Sequence, residues 1–412
     1  MHALLRDLFR TAFTLAAAAT VLTCQLQIRG SKALRELVGH TRAVLADNNQ
    51  APRSAHDLTR LVFARLRLGE LDAARSLLRA YERDEDPGLV LAAHATFLRT
   101  TGELVFAADR QRRLERALTR AEQARAKSYC SAALLVHGRY CLGQICDGDT
   151  RVRHEQLATT RLLALEGETW QPGRGHYRPT PCNGELCVPQ AADASLLVPH
   201  SFGMLIASGN RLTRHLKNTL KASHSQSRHR WRPDVSPEQL PALQLIAAAQ
   251  LGDRAQIAPL YNEVIRQRPD DASLAALNLD AVLQAVSGVR LAAGAGLSER
   301  WLRMKPWLPT DCTKLELQGL WAQQHRFGVT LQHELQRELP RERTEAVTIV
   351  EVMLEHPEGA QLSLVVANCW QQFVTTVSGD QPFRCALPNQ KPLPTNPKTN
   401  HDALHRFGFR AR

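Results

Sequence analysis

The densest grouping of side chains able to hold a polar ligand is Trp170, His176, Tyr177, Arg178 and Asp193. All five fall within residues 167–193, a stretch punctuated by Pro172, Gly173, Gly175, Pro179, Pro181, Gly184 and Pro189 that reads as a long loop. Aromatic rings offer flat faces for stacking, and Arg and Asp supply directed hydrogen bonds. Long loops inside compact domains are commonly functional, so a binding loop is expected. The competing reading is a surface excursion pinned by proline. Asp193 also stands where a helix would begin and could be an N-terminal cap; the same holds for Asp271 in Pro269-Asp270-Asp271.

Two other groupings could bind ions. Cys141 and Cys146 share a C-x4-C spacing, as do Cys182 and Cys187. Four thiolates suit tetrahedral zinc, but the spacing is looser than the usual knuckle and the first pair falls in a predicted helix. No metal and no cofactor is therefore expected. A local Cys182–Cys187 disulfide and buried unpaired thiols are the remaining readings. His224, Arg228, His229, Arg230 and Trp231 cluster in residues 223–232, which read as a solvated basic loop rather than a phosphate or metal site.

The elements that must position these residues are mostly helices. Leu34, Leu37, Val38, Thr41 and Leu45 recur at helical spacing, and Leu58, Leu61, Val62, Leu66 and Leu68 repeat it before Gly69. Leu71–Tyr81 is amphipathic, Asp86-Pro87 opens the next helix and Thr101-Gly102 closes it. A long helix covers Val105–Arg125, and Ala117–Cys130 reads as nearly unbroken helix. Further helices are expected over Ala192–Ser208, with a kink at Pro199, and over Leu212–Ser223, Pro237–Leu251, Ala255–Arg268 and Ser273–Ser287. Short breaks between helices favour antiparallel neighbours. Beyond Gly294 the period changes to strands at Leu315–Leu317, Phe327–Leu331, Val347–Leu354 and Leu362–Val366, with a turn at Pro357-Glu358-Gly359. These form a small antiparallel sheet.

The chain thus divides into an apolar N-terminal segment (1–30), a helical-hairpin domain (31–293), a β-rich region (294–387) and a basic, Pro-containing tail (388–412). In the first segment Arg6 and Arg10 precede an apolar run, Thr11–Thr23, ending at Cys24. It reads as a buried first helix or as a signal peptide. The run is too short to span a bilayer, so membrane association is expected only if the segment is retained, and a cytoplasmic location is favoured over export. The 412 residues carry a net charge of +12 and only 5% aromatics. The arginines are spread over many helices with no dense run, so nucleic acid is not a favoured partner.

Four segments carry a resemblance to a known family: Leu66–Arg75, Asp86–Leu91 with Thr100–Glu103, Trp170–Tyr177 with Ala192–Leu197, and Leu302–Pro309 with Leu315–Leu320. In that order they resemble the hairpins, aromatic loop and exit to a β region of the six-hairpin glycosidases, the glucoamylase and glycogen-debranching class. The resemblance implies an (α/α)6 barrel of helical hairpins with a small C-terminal antiparallel β region. It also implies an oligo- or polysaccharide ligand, gripped by Trp170, His176, Tyr177 and Arg178. Such enzymes cleave glycosidic bonds with one protonated carboxyl and one carboxylate, and Asp193 and Asp271 are the candidates for those roles. The sequence departs from the class at Pro52–Asp57, which lacks the Trp usual there. It also lacks the loop that carries the acid in relatives. A carbohydrate-active protein, catalytically active or inactive, is the implied function. The alternative is a protein-binding scaffold of helical repeats, since Leu245–Asp271 resembles a tetratricopeptide unit.

Overall fold

The computed structural model describes residues 25–47, 51–124, 128–180, 192–203, 209–225, 235–291, 302–338, 343–355, 360–368, 371–378 and 381–389. The N-terminal apolar run, Cys182 and Cys187, the basic stretch from 226, the turn at 357–359 and the tail from 390 lie outside the described residues.

After strand β1 (Gln27–Arg29) the helical part runs through α1 (Lys32–Asp47), α2 (Ala55–Leu68), α3 (Leu71–Ala80), α4 (Pro87–Thr101), α5 (Ala108–Gln123), α6 (Tyr129–Ile145) and α7 (Gly148–Thr169). A hairpin of β2 (Trp170–Gln171) and β3 (His176–Tyr177) follows, then a 3-10 turn (Ala194–Leu197) leading into α8 (Val198–Ser201). The last helices are α9 (Gly209–Ser225), α10 (Leu240–Leu251), α11 (Arg254–Val264) and α12 (Ala272–Ser287).

Odd and even helices differ in how apolar they are around their circumference. In α12 every residue from Ser273 to Ser287 is buried, and α4 buries all of Pro87–Phe97. By contrast α3 buries Ala74 and Leu78, and α5 buries Leu114 and Leu118. A helix that is apolar all round must sit inside, and one with a single apolar stripe lies on top of others. The packing follows suit. Helix α2 lies against α4, α4 against α6, α6 against α8, α8 against α10 and α10 against α12, and α12 lies against α2. The odd helices cover this inner set: α3 packs on α2 and α4, α5 on α4 and α6, and α11 on α10 and α12.

Two contacts set how closely the inner helices approach. A Cβ on Gly138 would stand 2.4 Å from the Cα of Gly88, so α4 and α6 meet backbone to backbone. Between α2 and α12 the contact is ionic: Arg67 Nε donates to Asp280 Oδ1 at 2.8 Å. Arg67 Nη2 also donates to Val289 O, and Gln284 to the second oxygen of Asp280. Both partners are buried.

The β region forms two sheets. One has the order β1-β5-β6-β7-β10, with β5 (Lys314–Ala322), β6 (His325–Glu338), β7 (Arg343–Leu354) and β10 (Phe383–Pro388), and every pairing in it is antiparallel. The other has the order β4-β8-β9, with β4 (Leu302–Met304), β8 (Gln361–Ala367) and β9 (Gln372–Ser378). Here β4 runs parallel to β8. The expectation of a single antiparallel sheet is therefore corrected. Its first strand, β1, comes from the N-terminal side of the helices, and one pair is parallel because β4 reaches β8 by a long connection.

The β layer covers the C-terminal ends of inner helices and satisfies carbonyls that helix ends leave without partners. Leu26 N donates to Leu68 O, Gln324 N to Thr100 O and Trp307 N to Val286 O. Gly288 ends α12 with φ 70° and lies so close to the next segment that a Cβ would stand 2.2 Å from Lys305 N.

Two helix expectations also change. Ala117–Cys130 is not continuous, because Ala124 turns extended (ψ 127°) and Ser128 caps a new helix by accepting from Ser131 N. Among the described residues, Ala192–Ser208 holds a 3-10 turn and one turn of α-helix, capped at Phe202. Pro199 sits in the first turn of α8, where it starts a helix without loss of a donor, rather than kinking a longer one.

Arg67→Leu is expected to destabilise the protein by about 3–5 kcal/mol, since it strands a buried carboxylate, while Arg67→Met with Asp280→Leu restores most of the loss. Urea unfolding of the two variants checks this. Burial also holds His94 down to about 3 and His137 down to about 4. Unfolded, each ring binds a proton near pH 6.5, so stability is full above that value and falls as the pH drops toward 4. His94→Gln should make that slope shallower, by up to about 1.4 kcal/mol per pH unit.

Candidate functional site

A cavity of about 430 Å³ opens where the inner helices begin. Five of its lining residues are the N-caps of inner helices: Ser54 for α2, Asp86 for α4, Ser128 for α6, Gln239 for α10 and Asp271 for α12. Val198, the first residue of α8, completes the set. Helix starts present backbone N–H groups and partial positive charge, so this end of the protein is polar although the helices behind it are apolar.

Three carboxylates line the cavity: Asp57, Asp86 and Asp271. Asp271 accepts from Leu274 N at 2.9 Å through one oxygen and from Arg53 Nη2 at 2.8 Å through the other. The same guanidinium lies 3.8 Å from Asp57 through its Nε. Asp57 and Asp271, from α2 and α12, thus flank one arginine. Asp86 differs from both. Its backbone is left-handed (φ 45°, ψ 59°), and its side chain makes no capping hydrogen bond. A non-glycine residue in this region costs free energy that the surroundings must supply, and here it leaves an exposed carboxylate on the cavity rim.

The floor is basic. Arg60, one turn beyond Asp57 on α2, lines the cavity and is only 7% exposed. Its guanidinium lies 5.8 Å above the Phe202 ring, and His56 meets the same ring edge-on. Burial lowers Arg60 to about 10, opposed by the fields of Asp57 and Asp271, and it stays charged at neutral pH.

The expected site residues fall in two places. Asp271 lines the cavity and also caps α12. Asp193 accepts from Ser195 N at 3.0 Å at the start of the 3-10 turn, and it is not among the lining residues. Trp170, His176, Tyr177 and Arg178 belong to the β2–β3 hairpin, none of which lines the cavity. Tyr177 is fully buried; it stacks on Tyr129 at 5.0 Å and donates to Glu166 Oε1 at 3.1 Å. Arg211 pairs with the other oxygen of Glu166 and lies over the Trp170 ring. His176 and Arg178 are buried as well. The hairpin sits behind the cavity: Pro179 O accepts from Tyr129 N, the first residue of α6, next to the lining residues Ser128 and Cys130.

Sequence reasoning missed Arg53, Asp57, Arg60 and Asp86 as site residues. A signal for three of them existed, since every inner helix but α8 starts at a polar residue and those starts share one end of the fold. Arg60 had none, because an arginine inside an amphipathic helix looks like any solvated one. Among the described residues no cluster of His, Cys, Asp and Glu is placed to hold a metal ion, and no helix is long and apolar enough to cross a membrane. Cys141 lies beside His137 on α6, where burial raises its thiol pKa.

No family model matches the sequence, and no curated protein matches it. Its fold is found in solved structures. An α-L-rhamnosidase from Dictyoglumus thermophilum superimposes over 89% of this chain with a TM-score of 0.60 and 10% identity. One from Aspergillus terreus superimposes over 88% with a TM-score of 0.54 and 9% identity. The chain spans about half the length of each, 50% in both cases. At such identities the likeness is one of fold alone.

Asp86→Gly relieves the left-handed strain and should leave stability unchanged or higher. Gly at an ordinary exposed helix position instead costs about 1 kcal/mol. Thermal unfolding of Asp86→Gly beside one exposed mid-helix Gly variant, such as Arg112→Gly on α5, separates the two cases.

Proposed function

We propose that this protein is carbohydrate-active, that its inner and outer helices form an (α/α)6 barrel, and that a saccharide occupies the cavity at the barrel's N-terminal end. The observation that carries this reading is the convergence of Asp57, Asp86 and Asp271 on one cavity at the starts of the inner helices. Its volume, about 430 Å³, falls in the range that holds a small ligand. Ser54, Ser128, Ser131, Ser273 and Gln239 give it neutral polar partners suited to ring hydroxyls. The fold shared with α-L-rhamnosidases adds weight.

Cleavage of a glycosidic bond needs two carboxyl groups on opposite sides of it. Asp86 on α4 and Asp271 on α12 stand on either side of α2 and are our candidates. Asp86 makes no capping bond and is free to face the glycosidic oxygen. Asp271 is held by Arg53 and by its own helix, which fixes its position. Asp193, which caps the 3-10 turn, is the weaker candidate. The hairpin of Trp170, His176, Tyr177 and Arg178 supports the site from behind by holding the start of α6. The contact of α12 with α2 favours a barrel over the helical-repeat scaffold, whose first and last repeats stay apart.

Incubation with a panel of oligosaccharides and polysaccharides, followed by chromatography of released sugars, tests the reading. Hydrolysis is expected for at least one class of linkage. Asp86→Asn and Asp271→Asn keep the local backbone preferences and helix capping, and each should cut the rate about a hundredfold or more. No release from any saccharide would argue against hydrolysis, and unchanged rates in both variants would remove these residues from the chemistry.

A further inference from the structure

The two buried arginines of α2 sit one heptad apart and so share a face of the helix. Arg67 is fully compensated, by Asp280 and by Val289 O. Arg60 is not. Among the described residues its guanidinium makes no hydrogen bond, its Nε is buried without a partner, and its contact is the face of Phe202. A desolvated charge without a hydrogen-bonded partner is costly to keep even in the fields of Asp57 and Asp271, and this one lines an open cavity.

The nearby carboxylates do not supply the missing partner. Both oxygens of Asp271 are engaged, one by Leu274 N and one by Arg53, and Asp57 faces the same exposed Arg53. The helix starts around the cavity add positive potential in the same direction as Arg60. The cavity therefore has an acidic rim, neutralised in part by Arg53, above one buried arginine that lacks a hydrogen-bonded partner.

We infer that the saccharide taken by this cavity carries a carboxylate, as a uronic acid does, and that Arg60 binds it at the floor. The inference rests on the proposed sugar site and names the class of sugar that the site selects. A planar carboxylate matches the guanidinium fork with two parallel hydrogen bonds. It brings a single negative charge past Asp57, Asp86 and Asp271, whereas a phosphate dianion would bring close to two past the same carboxylates. The hydroxyls of Ser54, Ser128 and Ser273 are left for the ring.

Calorimetric titration of the whole protein with D-glucuronate, D-galacturonate, D-glucose, D-galactose and inorganic phosphate tests this directly. At least one uronate should bind about ten- to a hundredfold more tightly than its neutral hexose, the gain of a charge-assisted pair. Arg60→Gln should reduce that preference to within about twofold, and Arg60→Lys should restore part of it. The comparison of acid with neutral sugar in the unaltered protein stands even if Arg60→Gln fails to fold. Equal affinity for acid and neutral sugars would overturn the inference and leave the sugar site intact. So would a preference that survives Arg60→Gln, or phosphate binding more tightly than either uronate. Failure of every sugar to bind would overturn the sugar site itself and the inference with it.

Discussion

The buried pair of Arg67 and Asp280 joins the first inner helix to the last. Other neighbouring inner pairs meet largely through apolar packing, with single hydrogen bonds from Thr59 to Leu89 O between α2 and α4 and from Gln250 to His200 O between α10 and α8. Such packing tolerates sliding. An ion pair with both partners buried does not, because any shift in register would strand one or both charges. Gln284 and Val289 O take the remaining hydrogen-bonding capacity, so the arrangement is satisfied only with α12 at one height on α2. That height also brings Asp271, at the start of α12, level with Arg53 and Asp57 at the start of α2. The position of the cavity rim depends on the pair below it.

The two ends of the inner helices are treated in opposite ways. Their C-terminal carbonyls meet the β layer through Leu26, Gln324 and Trp307, and the chain leaves α12 through a glycine with no room for a side chain. Their N-terminal ends meet no such layer among the described residues and border the cavity. A polar, ligand-sized opening thus arises from a largely apolar helical set, with no separate binding module. The close contact of Gly88 with Gly138 contributes by drawing the start of α4, next to Asp86, against the middle of α6.

The β2–β3 hairpin shows how residue type can mislead. Trp170, Tyr177, His176 and Arg178 have the chemistry of ligand contacts, yet the rings of Trp170 and Tyr177 are engaged by neighbouring side chains. Tyr177 stacks on Tyr129, Glu166 is shared by Tyr177 and Arg211, and His215 accepts from Tyr177 N. In a chain with few aromatics, a cluster of them is as useful for anchoring a turn behind a helix start as for gripping a sugar. The acidic groups at the cavity look commonplace in sequence, since an aspartate at a helix start is first of all a cap.

By itself the sequence determined the alternation of helices, most of their ends and the change to strands after residue 294, because periodicity, caps and glycine stops act over a few residues. Four of its short segments resemble parts of six-hairpin enzymes. Only the tertiary structure decided that Ser54, Asp86, Ser128 and Asp271 border one cavity, that β1 pairs with β5 nearly three hundred residues away, and that Arg67 is compensated while Arg60 is not. The physical reason is range. Local preference fixes an element, whereas the partner of a charge or of a strand edge is chosen by which distant element packs beside it, and desolvation makes that choice matter only once the chain is folded.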